Sequence, residues 1–145
     1  MQNIETLLKE NQIFIGKTAG DSMEPMLIEG QDTVIIVPPT FPLQKGDVPV
    51  YRRDGHYTMH RIISKTRRGY IICGDNRRIP ETDITEADIV GVLAAFYKGN
   101  EYIDTQDATY RAYVRRKCRH APLCIALHYI RRAGRRLKKI FKRGV

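Results

Sequence analysis

Val48-Pro49-Val50-Tyr51-Arg52-Arg53-Asp54-Gly55-His56-Tyr57-Thr58-Met59-His60-Arg61-Ile62-Ile63-Ser64 is the stretch whose reading decides the fold. Asp54-Gly55 lies between two runs rich in β-branched and aromatic residues, and both of its positions tolerate positive φ, so it signals a two-residue hairpin. Strands are expected over 48–51 and 56–64. Pro49 has no N–H for a ladder, which places the first of them at an edge or a bulge. Working outward, strands are expected over 13–15, 33–37, 70–73, 89–96 and 101–103, each bounded by Gly, Pro, Asp or Asn. Ile4, Leu7 and Leu8 fit a short amphipathic helix ending near Asn11. Many short strands separated by turns imply a mainly β, antiparallel barrel or coiled sheet.

The 145 residues suit one domain with an appended element. Charge divides the chain sharply. Residues 1–108 carry 12 basic and 16 acidic side chains, a net of −4, whereas 109–145 carry 13 basic and no acidic ones. The pI of about 9.7 therefore belongs to the tail, and suggests a cationic arm for an anionic surface. Cys73, Cys118 and Cys124 are odd in number and lack CxxC spacing, which argues against both a disulfide framework and a zinc site. Residues 1–5 show neither a basic nor an apolar signal region, and no run approaches the ~20 apolar residues of a membrane span. The location expected from this is cytoplasmic or peripheral to a membrane.

Three short strings carry the chemistry. Gly20-Asp21-Ser22-Met23-Glu24-Pro25 sets a serine in a tight turn, His60 stands on an expected strand, and Gly74-Asp75-Asn76 supplies a carboxylate after the next strand. Nucleophile, base and orienting acid are what a serine hydroxyl needs to attack at neutral pH. Singly, each has a plainer reading. A serine in such a turn is ordinarily a local cap, and a strand histidine is ordinarily structural.

Their order together with Gly30-Gln31-Asp32, Gly46-Asp47-Val48 and Val90-Gly91-Val92 resembles the S24/S26 superfamily of serine peptidases. That superfamily comprises the type I signal peptidases and the self-cleaving SOS and phage repressors. The likeness spans residues 13–97. It implies a coiled antiparallel β-barrel of the signal-peptidase and SOS-repressor type. Apolar spacing and the division of charge add the short N-terminal helix, set a peptidase domain over 1–108, and leave a basic amphipathic helical tail over 109–145. Where many members use lysine, His60 looks like the base of the endoplasmic-reticulum and archaeal signal peptidases. A lysine must be desolvated to become neutral, whereas a histidine, at about 6.5, benefits from a carboxylate that fixes its tautomer.

The resemblance thus implies a serine endopeptidase, signal-peptidase-like, cleaving an extended leader or signal-like peptide. Ser22 would be the nucleophile, His60 the base and Asp75 the orienting acid. Asp83 and Glu81 both lie near a later family acid. Gly20 replaces a serine that assists the oxyanion hole in many bacterial members, which leaves backbone N–H groups such as that of Ser22. Neither a membrane anchor nor a preceding DNA-binding helix-turn-helix is expected. No cofactor, metal or nucleic acid is expected either. The partners expected are a protein or peptide substrate and an anionic membrane met through 109–145. A non-catalytic peptide- or membrane-binding module on the same fold is the other reading. For the tail, the plainer reading is a helix packed on the barrel.

Overall fold

A computed structural model describes residues 3–142, with side chains as far as Gly134. Leu137, Ile140 and Phe141 of the expected amphipathic tail therefore lie outside the described side chains. Helix α1 (Ile4–Asn11) starts where the Asn3 side chain accepts the Glu5 N–H at 3.3 Å and stops where Gln12 turns left-handed at φ 60°. Nine strands follow: β1 (Phe14–Lys17), β2 (Thr33–Val37), β3 (Pro49–Arg53), β4 (His56–Met59), β5 (Arg61–Thr66), β6 (Gly69–Cys73), β7 (Glu81–Ile84), β8 (Ile89–Lys98) and β9 (Glu101–Asp104). Every pairing is antiparallel. The larger sheet runs β1-β2-β8-β3-β4 with β9 also on β8, and the smaller runs β5-β6-β7.

The hairpin forms as its turn residues require. Asp54 and Gly55 both take positive φ, 50° and 79°, and Arg53 pairs with His56. One detail differs from the sequence expectation and another narrows it. The run 56–64 is two strands, because the chain leaves the larger sheet at His60 and enters the smaller one at Arg61. Pro49 opens an interior strand, so of the two expected places, edge or bulge, only the bulge is found. It is the first residue of β3, next to a register shift between Val50 and Tyr51, where a missing N–H does least harm.

The curled sheet wraps a core that includes Met23, Leu27, Ile36, Val48, Leu93 and Phe96, and a second core around Tyr51, Ile62 and Ile72 lies between the sheets. Gly91 lets α1 close over the larger sheet, since a Cβ there would stand 2.5 Å from Ile36 Cγ2 and 3.0 Å from Leu8 Cδ1. The tail forms α2 (Ala108–Arg119) and α3 (Ala121–Lys142). Helix α2 packs on the body: Tyr110 joins the first core, and Val114 approaches Gly46 so closely that a Cβ on the glycine would meet it at 2.6 Å. Ala121 and Ile125, at the start of α3, pack against Ile63, Ile71 and Cys73. Among the described residues no helix is long and apolar enough to cross a membrane.

Arg61 ties these parts together. Only 1% exposed, it donates to Asp75 through Nε at 2.8 Å and Nη2 at 2.7 Å, to the Gly46 carbonyl at 2.9 Å and to the Tyr110 hydroxyl at 3.1 Å. Tyr113 adds its hydroxyl to Asp75 Oδ2 at 2.8 Å. Burial opposes the arginine charge, but the paired carboxylate outweighs it and holds the guanidinium protonated. Removing one partner of such a pair strands the other charge, so Arg61→Met is expected to destabilise the fold by about 3–5 kcal/mol. The Arg61→Met/Asp75→Leu double variant should be less destabilised than Arg61→Met. Chemical denaturation measures both, and Asp75→Leu alone. A loss in the double variant equal to the sum of the Arg61→Met and Asp75→Leu losses would show that the pair is not coupled.

Candidate active site

The serine turn is positioned by its neighbours. Gly20 adopts φ 81°, which disfavours a side chain, and donates its N–H to Glu29 Oε1 at 2.7 Å. Buried Met23, Met26 and Leu27 fasten the turn into the first core. From the other side, the Asn76 N–H donates to the Ser22 carbonyl at 2.9 Å, and Asn76 Nδ2 donates to the Asp21 carbonyl at 3.2 Å. Arg77 hydrogen-bonds and ion-pairs with Asp21, which keeps that carboxyl below its ordinary range.

Gly74 brings turn and base together. A Cβ on it would stand 2.6 Å from the Ser22 carbonyl oxygen and 3.1 Å from His60 Cδ2. The ring therefore presents its Cδ2 edge to the serine turn across a bare backbone.

Its other edge is held. His60 Nδ1 lies 2.8 Å from Glu81 Oε1 and 3.0 Å from the Tyr51 hydroxyl, which donates to the same carboxylate oxygen at 2.6 Å. Arg53 Nη1 meets Glu81 Oε2 at 2.6 Å. The hydrogen bond from His60 is the main cause that brings the Glu81 carboxyl down from 4.5 to about 2; Tyr51 and Arg53 add to it against the opposing effect of burial. Burial, with the Glu81 carboxylate alongside, pushes the Tyr51 hydroxyl up, so Tyr51 remains a donor. A proton on Nδ1 directed at Glu81 leaves Nε2 with the free lone pair. Among the described residues neither Ser22 Oγ nor His60 Nε2 has a hydrogen-bond partner.

Ser22 opens onto a cleft of about 400 Å³. Phe14 and Lys17 of β1 and Tyr57, Thr58 and Met59 of β4 also line it. These strands stand at opposite ends of the sheet order, so the sheet curls until its two edges border one groove. His60 follows Met59 directly. Among the described residues no group of three or more His, Cys, Asp and Glu side chains could hold a metal ion.

Residues 2–94 match the family described as Peptidase S24-like. The chain belongs to that family. The matched span includes the serine turn, His60 and Glu81, and the family supports a peptidase-like fold of the hydrolase class. No curated protein matches the chain.

In this Peptidase S24-like chain the expected acids fall apart in space. Asp75 is not at the His60 ring. Both its oxygens are taken, Oδ1 by Arg61 and Oδ2 by Arg61 and Tyr113, so its carboxylate anchors the Gly-Asp-Asn loop instead. Asp83 takes φ 66°, is exposed, and accepts only from Thr82 Oγ1 at 3.1 Å. The acid that meets His60 is Glu81. Tyr51 and Arg53 escaped the sequence reading, although the hairpin held a signal. Its register pairs Tyr51 with Thr58, and period-two alternation sets Thr58 and His60 on one face, which makes Tyr51 the diagonal neighbour of the histidine.

A carboxyl lowered in the folded state stabilises the protein above its ordinary value and loses that contribution as the pH falls through the folded value. Glu81→Gln should therefore lower the thermal midpoint most above pH 4.5, and the gap to the parent protein should narrow as the pH falls toward 2. Thermal scans across acidic pH check this. A gap that does not vary with pH would contradict the assigned linkage.

Proposed function

We propose that the chain is a serine endopeptidase in which Ser22 attacks, His60 takes the proton and Glu81 orients the imidazole. The observation that carries this reading is the held ring. Nδ1 is fixed by Glu81 at 2.8 Å, and the opposite edge faces the serine turn across Gly74. That is the division of labour a neutral histidine base needs. Glu81 stays ionised, so it stabilises the imidazolium that forms when the Ser22 proton moves to Nε2. The Ser22 N–H, which no described group accepts, is available to the oxyanion of the tetrahedral intermediate. The imidazolium then returns its proton to the leaving amine, and water hydrolyses the acyl-enzyme by the same route.

The groove supports an extended peptide as substrate. Edge strands β1 and β4 offer main-chain groups for β-pairing, and Phe14 and Met59 offer apolar surface for alternate side chains. The family resemblance adds a leader or signal-like segment with small residues at the cut.

Incubating the purified protein with a library of extended peptides, and reading cleavage by mass spectrometry, tests the proposal. Ser22→Ala is expected to abolish cleavage with little change in thermal midpoint, and His60→Ala to lower kcat by orders of magnitude. Undiminished turnover by Ser22→Ala would overturn the nucleophile, and no turnover by the parent protein would favour the non-catalytic module. Glu81→Ala should lower kcat far more than Asp83→Ala, because only Glu81 touches the base. Gly74→Ala should lower kcat as well, since its methyl would press on both the serine turn and the ring.

A further inference from the structure

Helix α3 is two-faced in a way the barrel does not use. Its first turns pack Ala121 and Ile125 on the smaller sheet, with Cys124 and His128 half-buried on the same side. The opposite face carries Leu123, Leu127 and Ile130, which are 60%, 44% and 66% exposed. Spacings of four and three residues put them in one stripe, and Tyr129 beside them is 50% exposed. The same sequence repeat returns at Leu137 and Phe141. Arg132 continues the register of the packed Ala121 and Ile125 one turn beyond His128. Among the described side chains the helix thus sets an exposed apolar stripe opposite its packed face.

We infer that α3 lies along an anionic lipid surface, its Leu123-Leu127-Ile130 stripe among the acyl chains and its basic residues at the headgroups. Charge selects this occupant. Residues 109–145 hold 13 basic side chains and no acid, eight of them between 131 and 143, while residues 1–108 are net acidic. The body thus repels an anionic surface that the tail attracts. A bilayer offers apolar depth and negative charge in one plane, along the roughly 33 Å that a helix of this length extends. Among the described residues no helix is long and apolar enough to cross, and an exposed stripe along α3 meets a surface lengthwise. This inference does not depend on peptide hydrolysis and is read without it.

The test is flotation of the full-length protein with vesicles of phosphatidylglycerol and phosphatidylcholine, and with phosphatidylcholine alone. Binding is expected to the anionic vesicles only, weakening as salt rises. Leu127→Glu/Ile130→Glu should lower the apparent affinity at least about tenfold, because two apolar side chains no longer leave water. Both positions are exposed, so the thermal midpoint should hold, and Leu127→Ala/Ile130→Ala should weaken binding less. Absence of binding at low salt would overturn the inference. Equal binding by the Glu variant would overturn the role of the stripe. A salt-stable dimer that the Glu variant dissociates, or tighter binding to duplex DNA than to vesicles, would assign the face to another occupant.

Discussion

The guanidinium of Arg61 sits where five separate pieces of chain converge, and a buried charge cannot be left there unpaired. Asp75 answers it with both carboxylate oxygens, Gly46 with its carbonyl, Tyr110 with a hydroxyl and Met26 with its sulfur at 2.9 Å. Tyr113 stacks against the same charge while bonding Asp75. These partners come from four elements, the serine turn, the 46 turn, the loop after β6 and α2, and Arg61 itself comes from β5. An arginine suits the role because its planar fork offers five donors that cannot lose their charge. The serine turn is therefore set by a group that takes no part in chemistry. Asp75, held by Arg61, brings Asn76 to the Ser22 carbonyl and Gly74 to the His60 ring.

That dependence explains which parts of the fold and the site were legible in the sequence. The hairpin was, because Asp54-Gly55 is a local signal and its geometry follows from two residues. The ordered strings were legible too, and each has a physical duty. Asp32, almost fully buried, accepts the Ile28 N–H at 2.7 Å, and Asp47 accepts the Gln44 N–H at 2.7 Å. The role of Asp75 was misread for a reason of the same kind. A carboxylate one residue past a strand looks free to reach a histidine, and the reading took no account of Arg61, a neighbour in sequence of that histidine, as a competing partner.

The choice between Glu81 and Asp83 could not be made from alternation. Residues two apart on a strand share a face, so both acids could have met His60. The left-handed φ of Asp83 breaks that equivalence, and nothing in the four residues Glu81–Ile84 announces it. Strand β7 itself was missed for lack of apolar alternation; it exists because β6 offers it an edge. The tail was legible as charge, and its plainer reading as a helix packed on the barrel holds for α2. Tyr110 and Tyr113 close the Arg61 cluster, a duty that their place in a basic run does not announce.

In the proposed reaction, a histidine base rather than a lysine changes what the rest of the site must supply. A lysine base works by being neutral, so its surroundings must withhold charge. A histidine base works by having one nitrogen committed, so its surroundings must provide an acceptor that stays ionised. Glu81 meets that need because Tyr51 and Arg53 occupy the lone pairs that the imidazole leaves, and an acid so fully hydrogen-bonded does not protonate near neutrality. Tyr51 and Arg53 are on β3, before the Asp54-Gly55 turn, and His60 follows β4 directly, where the chain crosses to the smaller sheet. The Asp54-Gly55 hairpin thereby brings together the three groups around the Glu81 carboxylate, Tyr51, Arg53 and His60. Base, acceptor and hairpin are one unit.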